Sequence, residues 1–147
     1  MSKLARSIFF LSTLAAASAL APALAPAFAD TIKYKADLSS ASEVPPNDTG
    51  AKGTIEATYD SAAGTLSWSG SYSGLSGPAV AAHFHGPAAA DANAPPIVPV
   101  DASKSPFEGS AKVTADQAKA FADGMVYFNV HTAKNKGGET RGQLTKE

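Results

Sequence analysis

The chain has no cysteine. Disulfides, thiolate nucleophiles and cysteine metal sites are therefore excluded. Histidine, carboxylate and methionine are left as transition-metal ligands. Basic residues are not in excess: 12 Lys and Arg stand against 13 Asp and Glu, a formal net charge of −1. No basic patch forms, which argues against a nucleic-acid partner. A Gly-x-Ser-x-Gly elbow, a Walker loop and a dinucleotide fingerprint are all missing, so the chemistries they carry are not expected. Composition leaves a serine–histidine–aspartate triad open, but no serine is set apart by its surroundings. Histidine itself is scarce, with three in 147 residues.

Long apolar runs are absent except near the N-terminus. Lys3 and Arg6 precede an apolar run from Ile8 to Ala21, and Ala27-Phe28-Ala29 precedes Asp30. This is the plan of a secretory signal peptide over residues 1–29. A membrane anchor is the alternative, but Pro22 and Pro26 break the run. It also falls short of the ~20 residues a spanning helix needs. The expectation is an exported protein, periplasmic or secreted, with no membrane span after cleavage and one folded domain over residues 30–147. Without disulfides, such a domain depends on its core or on a bound metal for stability.

What the remaining chain has is alternation. Thr31 to Leu38 places Ile32, Tyr34, Ala36 and Leu38 on one side, the pattern of a half-buried strand. Ala51 to Tyr59 and Thr65 to Tyr72 alternate likewise, and the turn Asp60 to Gly64 makes them a hairpin. Ala79 to His85 is a further strand, with Val80, Ala82 and Phe84 on one face and Ala81, His83 and His85 on the other. Ser39 to Gly50 and the proline-rich Gly86 to Pro106 read as loops, the second with a brief strand or packed segment at Ile97-Val98. Loop carboxylates such as Glu43 are expected to face water.

Phe107 to Val113 is a short strand, and Thr114 with Gln117 forms a capping box for a helix that turns Ala118, Phe121 and Ala122 inward and stops at Gly124. Met125 to Thr132 and Glu139 to Thr145 complete the strands. The expected fold is all-β: an antiparallel, Greek-key-like β-sandwich with one short helix.

Two of the three histidines are His83 and His85, one residue apart, and on a strand both leave the same face. His131 lies in Tyr127-Phe128-Asn129-Val130-His131-Thr132. If that strand lies beside Ala79 to His85, three imidazoles gather in one place, the core of a copper or zinc site. Glu139, Asn129, Met125 or water would supply a fourth ligand, and water would leave an open position. Glu139 and Arg141 share a strand face; Glu139 is a ligand or acceptor for an imidazole N–H, and Arg141 is expected in an ion pair pinning the last strand. Trp68, Tyr72, Tyr127 and Phe128 read as core and sheet-face aromatics. Gly137-Gly138 supplies positive φ in a hairpin turn.

The segments Ala82-His83-Phe84-His85-Gly86-Pro87-Ala88, Val126 to Thr132 and Gly137-Gly138-Glu139-Thr140-Arg141-Gly142-Gln143-Leu144, with the earlier Ala41-Ser42-Glu43-Val44-Pro45-Pro46, resemble the CHRD domain. The resemblance runs from Tyr34 to Leu144, with Thr140 where the family more often has an apolar β-branched residue. It implies an extracellular β-sandwich module and no settled activity.

Three functions follow as expectations. The first is a metal-binding domain holding copper, or zinc as the alternative, through His83, His85 and His131, with Glu139, Asn129 and Arg141 behind them. The second is an interaction module with structural histidines, meeting an unidentified protein partner through the long loop. The third is a zinc hydrolase with Glu139 as base. Catalysis is the weaker expectation.

Overall fold

The computed structural model describes residues 30–147, so the expected leader over 1–29 lies outside the described residues. Nine strands form one antiparallel sheet among these residues: β1 (Thr31–Ser39), β2 (Lys52–Asp60), β3 (Thr65–Ser73), β4 (Ala79–His85), β5 (Pro96–Val100), β6 (Phe107–Lys112), β7 (Tyr127–Thr132), β8 (Thr140–Gln143) and β9 (Thr145–Lys146). The order is β5-β4-β7-β8-β1-β2-β3-β6, with β9 also on β1. No helix among the described residues is long and apolar enough to cross a membrane.

The sheet folds on itself into a nearly closed, sandwich-like body. β8 meets β1 at one registered pair, Ser39 with Arg141, and β9 then continues along Tyr34 and Lys35. The last strand thus turns the corner between the two halves. Aromatic contacts close the core between them: Trp68 on β3 lies 5.5 Å from Phe84 on β4, and Phe107 on β6 lies 5.6 Å from Phe128 on β7. Each such side chain contributes about 1.5–3 kcal/mol by leaving water.

The β2–β3 hairpin forms as the alternation requires, with Asp60 opposite Thr65 and with Ile55, Ala57, Leu66 and Trp68 buried. The segment expected as a loop after β1 carries a 3-10 turn at Ser40–Ser42. Pro96 and Pro99 sit in β5, which among the described residues is an edge strand paired with β4, where proline is tolerated.

Helix α1 (Ala115–Ala122) begins with the expected capping box, in which Thr114 and Gln117 bond each other's backbone N–H. Such a cap is worth ~1 kcal/mol. Its inward face differs from the expected one: Ala120 and Phe121 are buried and Ala122 is exposed. The Gln117 side chain also donates to the Ile97 carbonyl, at 2.8 Å. That bond turns positions 117, 120 and 121 toward the body, the i, i+3, i+4 stripe. Phe121 then packs 5.5 Å from both Tyr34 and Phe84.

Val80 also departs from the alternation and is 61% exposed. The β4–β7 register slips between Ala79 and Ala81, so the phase that buries Ala82 and Phe84 does not reach Val80.

Candidate metal centre

Every residue of β7 is buried. Phe128 and Val130 enter the hydrophobic core with Ala82 and Phe84 of β4. The alternate residues, Tyr127, Asn129 and His131, therefore face the other way. In register they meet His85, His83 and Ala81 respectively, while Arg141 and Gln143 of β8 stand across from Asn129 and Tyr127. The backbone of residues 89–94 and 136–137 bonds down onto this layer, so a polar sheet face lies under a roof of loops.

The three histidines come together as expected. The nitrogens they offer all lie within 4.8 Å of one another, and His83 Nδ1 is 3.2 Å from His131 Nε2. An ion ~2.0–2.1 Å from each of those two nitrogens would see them about 100° apart, within the range of metal–imidazole geometry. The third ring, His85, offers a nitrogen within 4.8 Å of those two. His83 is the half-buried member and has no bond to backbone, so it is the ring free to turn.

Backbone carbonyls orient the other two rings. His85 Nδ1 is 2.8 Å from the Ala94 carbonyl, and His131 Nδ1 is 2.9 Å from the Lys136 carbonyl. A carbonyl only accepts, so both Nδ1 atoms carry the proton and both Nε2 atoms carry a lone pair. His85 Nε2 is buried and has no hydrogen-bond partner. Metal-binding imidazoles are held in this way, by a backbone acceptor on the nitrogen away from the ion.

Burial pushes all three rings below the ordinary histidine range. His131 adds repulsion on His83, while bonds to the Ala94 and Lys136 carbonyls pull His85 and His131 partly back up. Neutral imidazole is the ligand form, and the fold favours it.

The remaining candidates are engaged elsewhere or stand at the margin. The Glu139 carboxylate accepts from the Ser76 N–H at 2.6 Å, the Ser76 hydroxyl at 2.8 Å and the Thr132 hydroxyl at 2.5 Å. Burial would raise its pKa, but these donors hold it at about 2. Asn129 stands opposite His83, and its Oδ1 is buried without a donor. Met125 precedes β7, its carbonyl accepting from the Ala88 N–H.

Among the described residues Arg141 makes no ion pair, contrary to expectation. It is 1% exposed, and its guanidinium donates to Asn93 Oδ1 at 2.9 Å and to the Ala92 carbonyl at 2.7 Å. The loop that folds over β8 presents carbonyls rather than carboxylates, so the charge is held by dipoles.

Two participants went unread in the sequence. Tyr127 is a spacer in a stack: its ring lies 4.8 Å from His85 at an interplanar angle of 5°, and the Arg141 carbon Cζ lies 3.4 Å from its other contact partner, the ring centroid. Its i−4 position from His131 puts it on the same strand face, which was the available signal. Glu43, expected in water, is 4% exposed, and burial raises its pKa to about 7 against the pull of Arg141 and Asn129.

A family model described as the CHRD domain matches residues 34–144. No curated protein and no solved structure matches the chain.

Proposed function

The chain belongs to the CHRD domain family, and from that premise we propose that this member binds a transition metal ion, copper, through His83, His85 and His131. The observation that carries the reading is the buried, partnerless Nε2 of His85, in a ring whose Nδ1 is fixed by the Ala94 carbonyl. A histidine with a purely structural role would use both nitrogens or leave one to water. Here the free nitrogen belongs to a cluster of three.

Copper is favoured over zinc by the Irving–Williams order, with no thiolate present to shift the preference. The role is binding, buffering or handing on the ion. Hydrolysis fits poorly, because a carboxylate held at about 2, as Glu139 is, makes a weak general base near neutral pH. The reading includes export to the periplasm or the medium, resting on the leader pattern of residues 1–29.

The test is a calorimetric titration of the protein, purified without a histidine tag, with copper and zinc salts. One ion per chain should bind saturably, and His83→Ala and His131→Ala should each weaken it more than tenfold. No saturable binding, or binding indifferent to both substitutions, overturns the reading.

A further inference from the structure

Resting on that reading, we infer that the site is built for monovalent copper, Cu(I), and that Arg141 sets this preference through Tyr127. The ligand set is three imidazoles, all uncharged, so a bound ion keeps its full charge. A fixed positive charge lies in the same buried layer. Arg141 lies over one face of Tyr127 at 3.4 Å, and His85 is stacked on that ring at 4.8 Å. All three residues are buried, so water screens the charge weakly.

Two carboxylates lie in the same layer. Glu139 is ionised, is bonded to Ser76 and Thr132 rather than to any of the three rings, and acts in the opposite sense to Arg141. Glu43 lies toward Asn129 and Gly138, where burial raises its pKa to about 7. Lys134 and Lys136 are exposed, and their charges are also positive.

A positive charge repels a divalent ion twice as strongly as a monovalent one. At about 8–10 Å and an effective dielectric near 20, the extra repulsion on the divalent ion corresponds to roughly twentyfold in affinity. Cu(I) also accepts three nitrogen ligands without a fourth. Arg141 is thus a specificity-determining group that never touches the ion.

The experiment measures Cu(I), Cu(II) and Zn(II) dissociation constants by competition with chelators, for the wild type, Arg141→Gln, Arg141→Lys and Tyr127→Phe. The wild type should prefer Cu(I) to Cu(II). Arg141→Gln should tighten Cu(II) and Zn(II) relative to Cu(I) by about twentyfold. Tyr127→Phe and Arg141→Lys, which keep the ring and the charge, should leave the ratio in place. A purely structural role for Arg141 would loosen all three ions together, the opposite direction for the divalent pair. Should Arg141→Gln fail to fold, the wild-type ratio still decides: Cu(II) bound as tightly as Cu(I) overturns the inference while leaving the metal site standing. Absence of binding by every ion overturns the metal site itself.

Discussion

The carboxylate of Glu43 occupies the space where a side chain on Gly138 would stand. A Cβ at position 138 would collide with Glu43 Oε1 and with Asn129 Nδ2, and the backbone there has φ +132°. Gly137, one residue earlier, has open space around its Cβ position and no positive φ. Gly138→Ala should therefore cost about 2–4 kcal/mol in chemical denaturation, from overpacking and backbone strain together. Gly137→Ala should stay within about 0.5 kcal/mol of wild type. Equal effects at the two positions would contradict the packing described.

Glu43 also predicts a pH dependence. Its folded pKa is raised to about 7, above the ordinary 4.5, so the folded state holds the proton more tightly than the unfolded state. Its contribution is most favourable below pH 4.5 and is lost as pH rises toward 7 and beyond. Glu43→Gln, which has no charge to bury, should gain on wild type by about 2–3 kcal/mol between pH 4 and pH 8. A stability difference that does not change with pH would contradict a buried carboxylate at this position.

Glu139 has the opposite sign. Held at about 2, its folded pKa lies below the ordinary 4.5. It stabilises the fold above pH 4.5, and that stabilisation falls away as pH drops from 4.5 toward 2. Removing the charge by Glu139→Gln should cost about 3 kcal/mol at pH 7 and much less at pH 2. Thermal melts of the two proteins across that range give the answer directly.

Metal binding should raise stability. At a free copper concentration 100 times the dissociation constant the gain is about 2.7 kcal/mol, or on the order of 10 °C in Tm. Because burial lowers all three imidazole pKa values, the ligands stay neutral below the ordinary 6.5. Half of the metal-dependent shift should be lost only below pH 6.5, since ligation needs neutral imidazole. Loss centred above 6.5 would mean the rings are not buried as described. The metal-free fold should likewise weaken as pH falls below 6.5, because the unfolded chain then takes up protons that the buried rings resist.

The legible and illegible parts of this molecule divide along physical lines. His83 and His85 were readable as partners because a strand has a period of two, and that needs no knowledge of the rest of the fold. Their meeting with His131 required β4 and β7 to be neighbours, which period alone does not fix; the structure pairs Ala81 with His131 and Asn129 with His83. The β2–β3 hairpin was readable because its turn is local. The Arg141 environment was not, because its partners are carbonyls of residues 89, 90 and 92, in a stretch without periodicity. Glu43 was misplaced for a similar reason: a loop carboxylate usually meets water, and the returning turn at Gly138 lies against this one. Val80 was misassigned because a strand irregularity breaks the alternation on which the assignment rests.

The most direct test of the metal site is X-ray absorption at the copper edge of the loaded protein, compared with its His85→Ala variant. The account predicts three nitrogen scatterers at ~2.0 Å with the outer-shell signature of imidazole rings, falling to two in the variant. A first shell dominated by oxygen, or one unchanged when His85 is removed, would contradict it.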